Sequence, residues 1–153
     1  MQVGLTVKGS DQLPSNDFYR ELVLSLEAAM ECEFGSMDDT DGVAPVNHYH
    51  CEGNYAREIC IPKGVCIIGK IHKHEHINVI SQGRCVVVTE AGREEYAAPK
   101  TFTSSAGIKR AVYALEDTVW TTIHPTEETD LDKIEEEVIA KDYEKLNSHL
   151  RIF

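Results

Sequence analysis

The chain lacks most of the features from which a protein's work is usually read. Its five cysteines, Cys32, Cys51, Cys60, Cys66 and Cys85, contain no C-x-x-C pair. An odd set placed mostly in apolar runs such as Glu58-Ile-Cys60-Ile reads as buried thiols in a reducing compartment, with a zinc or redox role as the lesser alternative. No apolar run approaches the roughly 18 residues of a membrane span. The opening Met1-Gln-Val-Gly-Leu-Thr-Val-Lys8 has no charged segment followed by an apolar one, so export by the usual signal is not expected. Basic charge is scarce, with 15 Lys and Arg against 26 Asp and Glu and a formal net charge of −11. Affinity for nucleic acid rests on Lys and Arg displacing counterions, so nucleic acid and anionic membrane are set aside as partners. There is no P-loop, dinucleotide fingerprint, nucleophile elbow or H-E-x-x-H, and no internal repeat.

What is present is enough for one domain with a core: 153 residues, of which 42% are hydrophobic. Phe18, Leu22, Leu26 and Ala29 fall at helical spacing behind Pro14-Ser15, a capping signal, and predict an amphipathic helix over about residues 16 to 33, stopped by Gly35. The acidic, turn-rich residues 35–45 read as a solvated linker, since their aspartates lack calcium-loop spacing. From 46 to 124 the texture changes to short β-rich runs: Tyr55–Ile61, Val65–Ile71, Ile77–Ser81, Arg84–Glu90, Glu94–Ala97, Thr101–Ser104, Lys109–Leu115 and Thr118–His124. Corners at Gly64, Gly83, Gly92 and Gly107 give the cadence of a β-barrel or sandwich. After Pro125, Thr129-Asp caps an acidic helix that runs to about residue 146, with Leu131, Ile134 and Val138 on one face. That stripe either packs on the barrel or meets another subunit. The expected division is 1–45 for the N-terminal helix and linker, 46–125 for the barrel and 126–153 for the C-terminal helix and tail.

The densest chemistry lies in His72-Lys-His74-Glu75-His76. In an extended strand the three histidines share one face. Imidazoles in this number suit Zn, Fe, Mn or Ni, provided other segments add donors. His124, at the end of its strand, and His48 or His50 are the contributors from elsewhere. The plainer alternative is a set of solvent-facing or hydrogen-bonded histidines. Tyr55, Arg57, Tyr113 and Trp120 are candidates to line a ligand pocket, or else core. Glu75 and Glu116 are candidate acid–base groups, provided they are buried.

His72-x-His74, with six residues between His76 and Gly83, resembles the first motif of the cupin superfamily, with His76 in the place of the family's glutamate. The segment from Ala98-Pro99 to Trp120, with its turn Ser105-Ala-Gly107-Ile-Lys-Arg110, resembles the second motif. The resemblance covers about residues 55–124 and implies a mainly β protein: a single cupin, or jelly-roll, barrel flanked by an N-terminal and a C-terminal α-helix. Two departures alter what it implies. The spacing from His74 to His76 is short, and Arg110 stands where the second motif has its histidine. Arginine stays protonated and binds no cation, but its planar fork fits a carboxylate or phosphate. A salt bridge from Arg110 to Glu94, Glu95 or Glu116 is the alternative. The stretches Tyr55-Ala-Arg57-Glu58-Ile, Gly69-Lys-Ile-His72, Glu75-His76-Ile-Asn78, Glu116-Asp117-Thr-Val-Trp120-Thr-Thr-Ile-His124 and Thr129-Asp-Leu-Asp-Lys-Ile-Glu also look like small cupin-like proteins of tailed bacteriophages and prophages. That likeness implies the host bacterial cytoplasm or the virion as location.

Three functions follow from these readings. The first is a divalent-metal site built from His72, His74, His76 and His124 that binds or processes a small molecule, an anionic ligand among the candidates; as an enzyme it would be an oxygenase, isomerase or hydrolase. It predicts at least three donors converging inside the barrel. The second is a non-enzymatic virion, assembly or host-interaction protein, with splayed histidines and a large apolar interface. The third is a metal-free isomerase or epimerase, with His72 or His76 as base and Arg110 facing the same void. A homodimer is the expected assembly.

Overall fold

The computed structural model describes residues 16–34, 43–141 and 143. The Pro14-Ser15 cap, the Gly35 stop, residues 35–42 of the acidic stretch and the end of the expected C-terminal helix lie outside them. In chain order the elements are α1 (Asn16–Phe34), β1 (Val46–Cys51), β2 (Asn54–Ile61), β3 (Cys66–Ile68), β4 (Ile71–His72), β5 (His76–Gln82) and β6 (Arg84–Thr89). They continue with β7 (Gly92–Ala97), β8 (Lys100–Ser104), β9 (Ala111–Ala114), β10 (Thr118–Pro125), α2 (Leu131–Val138) and β11 (Ile139–Ala140).

The described chain is mainly β. One sheet runs β1-β2-β10-β5-β8, a second β3-β9-β6-β7, and β4 pairs with β11 alone. The strand pairs are antiparallel. Alternation assigns the faces, as in β5, where His76, Asn78 and Ile80 are buried while Ile77 between them is exposed. Ile61, Ile80 and Trp120 from the first sheet close on Cys85, Val87, Val112 and Ala114 from the second, so the sheets share one core. Each large aliphatic side chain buried there contributes about 1.5–3 kcal/mol. Gly83 passes the chain from β5 to β6 at φ 85°. A Cβ there would collide with the Asp117 carbonyl oxygen and sit 2.8 Å from Thr118 Cα, so only glycine fits.

Four expectations are corrected. Of the cysteines expected to be buried only Cys85 is; Cys60 and Cys66 are half-buried and Cys32 and Cys51 exposed. The run Val65–Ile71 is two strands, because Gly69 leaves the β3 line to donate its N–H to the Arg110 carbonyl at 2.8 Å. On α1 the expected face is the wrong one. Phe18 and Leu22 are 55% and 57% exposed, whereas Tyr19 and Val23, one position along, are buried at 8% and 3%. Polar anchors set that rotation: the Tyr19 hydroxyl reaches the carbonyls of Val88 at 2.9 Å and Lys109 at 3.0 Å. Ion pairs Arg20–Glu90 at 2.9 Å and Glu27–Lys109 at 2.8 Å flank it. The acidic helix begins as expected, with the Asp130 carboxylate accepting from the N–H groups of Asp132 and Lys133. It stops at Val138, where the backbone turns extended to form β11, well short of residue 146. Ile134 and Val138 pack against Tyr55, so the stripe lies on the protein's own sheet, with Leu131 left exposed. Among the described residues no helix is long and apolar enough to cross a membrane.

Candidate metal centre

The three-histidine strand is not a strand. His72 ends β4, Lys73 to Glu75 bend, and His76 opens β5. Alternation therefore does not govern the segment. The bend turns His72 back onto His76 and leaves His74 and Glu75 exposed. His124 arrives from β10, and one ring nitrogen from each of His72, His76 and His124 lies within 4.8 Å of the others. The rings crowd together, with centroids 4.1 Å apart for His72–His76 and 4.9 Å for each of the other two pairs; His72 and His124 stack, and His76 is tilted to both.

The surroundings hold these rings in place. The His72 backbone is clamped from two sides: it pairs with Ile139 in β11, and its carbonyl accepts the Gly107 N–H at 2.9 Å. The Lys73 N–H donates to the Val138 carbonyl at 2.8 Å, and Lys70 binds Glu135 at 2.7 Å, so the end of α2 is fastened to the segment that carries His72. His76 Nδ1 donates to the His74 carbonyl at 3.1 Å, which leaves Nε2 with a free lone pair. His74 thus serves the site through its backbone. His76 Nε2 and His72 Nδ1 are buried without a hydrogen-bond partner.

Burial sets the charge state. It drives the His72 pKa down to about 2, helped by His76 and His124 and then by Arg110 and Arg57. His124 is pulled to about 4, by burial first and then by His76 and His74. His76 is lowered by burial and by Arg110, against the upward pull of its bond to the His74 carbonyl. At neutral pH the three imidazoles are uncharged and carry free lone pairs, as a metal ligand must. Two orphaned buried nitrogens and an all-imidazole donor set fit a divalent transition ion.

The other expected site residues are dispersed. Tyr55 is buried beside the cluster, its ring 6.5 Å from His124 and its hydroxyl 2.7 Å from His48 Nδ1. His50 packs on the same tyrosine at 5.2 Å, so the pair from β1 gathers around Tyr55 and does not join the three nitrogens. Arg57, on the same face of β2 as Tyr55, is near enough to depress His72. Trp120 belongs to the core, with its indole N–H donating to Asn78 Oδ1 at 3.0 Å. Tyr113 is 45% exposed on β9. Glu116 is exposed and pairs with Arg84 at 3.4 Å. Two buried residues escaped the sequence reading, Asn78 and Ser104, joined by an Asn78 Nδ2 to Ser104 Oγ bond of 2.7 Å. Asn78 stands two residues from His76 in a strand, and that spacing was the available signal.

No protein-family model matches the sequence, and no curated relative does. Solved structures do share the fold. KdgF from Halomonas sp. is 16% identical, with a TM-score of 0.50 over 63% of this chain and 90% of that one. A salicylate 1,2-dioxygenase from Pseudaminobacter salicylatoxidans is 10% identical, with a TM-score of 0.52 over 78% of this chain and 35% of the longer enzyme. An RmlC-like cupin from Shewanella frigidimarina is 16% identical, with a TM-score of 0.48 over 63% of this chain and 88% of that one. The structural neighbours are cupin superfamily proteins.

Proposed function

We propose that His72, His76 and His124 hold one divalent transition-metal ion, and that the protein binds and processes a small molecule at the positions the three histidines leave open. One observation carries this reading: three uncharged imidazoles from three strands, His76 and His124 buried and His72 half-buried, bring their nitrogens within 4.8 Å of each other, two of them with no other partner. Convergence of three donors is what separates a metal site from a scaffold with splayed histidines. An ion held only by neutral ligands keeps its full charge, and it would supply Lewis-acid or redox chemistry at the open positions. The chain's own residues fix the ring orientations, through the His74 carbonyl and the β11 clamp, and Tyr55 packs beside His124. Oxygenase chemistry is the first class to assay, followed by isomerase and hydrolase. The phage likeness of the sequence stays with this proposal as its biological setting.

The test is elemental analysis of the full chain purified without affinity tag or chelator, beside His72→Ala and His124→Ala. About one ion per native chain, lost in both variants, is the expected result. A native protein that carries no ion and takes up none of Zn, Fe, Mn or Ni overturns the proposal.

A further inference from the structure

Among the described residues no carboxylate joins the three nitrogens of the site, although the chain as a whole is strongly acidic. The charged group brought to it is instead a cation. Arg110 Nη2 donates to Ser104 Oγ. Ser104 is the residue directly opposite His76 in the β5–β8 register, so the guanidinium tip lies beside the His76 ring. Its effect on both His72 and His76 agrees with that placement. The Arg110 carbonyl is fixed by the Gly69 N–H at 2.8 Å, and the guanidinium carbon lies 5.8 Å from the Phe102 ring centroid. Ser104 is itself held by Asn78 at 2.7 Å, and Asn78 by Trp120 at 3.0 Å, so a chain of hydrogen bonds from the core locks the arginine's anchor point.

The carboxylates that the sequence offered to Arg110 are committed elsewhere: Glu95 lies 2.9 Å and Glu116 3.4 Å from Arg84, and Glu94 bonds to Tyr96. Arg110 Nε is buried with no partner. A guanidinium cannot shed its proton, so a buried unpaired N–H on it carries a standing desolvation cost that only an incoming acceptor removes. With Nη2 partly engaged by Ser104, the unmet demand is on the Nε side of the fork, which matches two oxygens of one planar oxyanion.

We infer that Arg110 anchors the carboxylate of a small organic acid, and that a second oxygen of that acid reaches the ion proposed for His72, His76 and His124. The ligand class rests on the metal-site reading for its second contact and on Arg110 alone for its first. A neutral ligand would leave Nε unpaired, so the site discriminates for charge.

The probe is pyruvate, which carries a carboxylate and a neighbouring carbonyl oxygen, titrated calorimetrically into the full chain in zinc-loaded and chelator-treated forms. Its uncharged amide, pyruvamide, and inorganic phosphate are titrated in parallel. Pyruvate is expected to bind roughly tenfold to a hundredfold more tightly than pyruvamide, the worth of one charge-assisted contact. In Arg110→Gln pyruvate falls to the level of pyruvamide, and Arg110→Lys, which keeps the charge without the fork, lies between. The comparison of pyruvate with pyruvamide on the native chain needs no variant, so a poorly folding substitution does not blunt the test. Equal binding of the two, binding of neither, or full affinity in a folded Arg110→Gln overturns the anchor. Phosphate that outbinds pyruvate and depends on Arg110 overturns the carboxylate. Arg110-dependent pyruvate binding by a chain that takes up no ion upholds the anchor while the metal reading falls. A retained ion with pyruvate indifferent to Arg110 does the reverse.

Discussion

Along β2, β5 and β10 every second residue points between the sheets, yet the same three strands line two unlike compartments. Towards one end they supply Ile61, Ile80 and Trp120, which close with Cys85, Val87, Val112 and Ala114 into an apolar floor. Towards the other they supply Tyr55, His76 and His124, joined by His72 and Arg110. The floor gains free energy from every buried methylene. The histidine end keeps polar atoms buried without partners, which costs free energy until a ligand arrives. Sharing strands lets the first pay for the second, and also makes the floor a rigid base that holds the donors at fixed spacing.

The sharpest test of that division is Ile80→Ala. Ile80 is fully buried in the floor, and its truncation should cost about 2–5 kcal/mol in denaturant unfolding. Elemental analysis of the same variant should show ion content unchanged, and loss of the ion would mean that the two ends are one unit. Next in size is Asn78→Leu, at the boundary. It strands the Trp120 N–H and removes the bond that steadies Ser104, for a loss of about 1–3 kcal/mol.

A third effect is a slope with pH in the chelator-treated protein. In the unfolded chain histidines take up protons near their ordinary value of 6.5, whereas folded His124 and His72 resist until about 4 and about 2. Below 6.5 the unfolded state therefore binds more protons. Stability should be level above that pH and fall as pH drops towards 4. Urea midpoints at pH 7.5, 6 and 5 should decline in the native chain and less so in His124→Ala. A flat series in the native chain would show that the histidine end is wetter than its packing indicates.

How much of this was legible depends on the element. Strands with an apolar face, such as β5, β6 and β10, announce themselves by alternation between glycine or charged turns. β1 does not, because Val46–Cys51 is a largely exposed edge strand with polar residues on both faces. β11 has two residues and exists only through its pairing with β4. On α1 two adjacent stripes are apolar, and periodicity cannot choose between Phe18-Leu22 and Tyr19-Val23. The choice falls to hydroxyl and ion-pair partners distant in sequence. The histidine cluster was visible as a density of imidazoles, and His124 could be named from the end of its strand. The bend at Lys73 to Glu75, which admits His72 and His76 and leaves His74 outside, depends on tertiary contacts from Gly107 and β11.

The clamp of β11 on β4 also sets an order of events. A chain emerges from the ribosome N-terminus first, and a domain folds as a unit once enough of it has appeared. His72 and His76 are therefore made long before Ile139, whose pairing with His72 completes the support of the ring. Until that late segment docks, the early histidines sit on an unfastened strand. Under the proposed function, metal loading would wait for the finished protein, and a chain cut short before β11 would lack the pairing that supports His72.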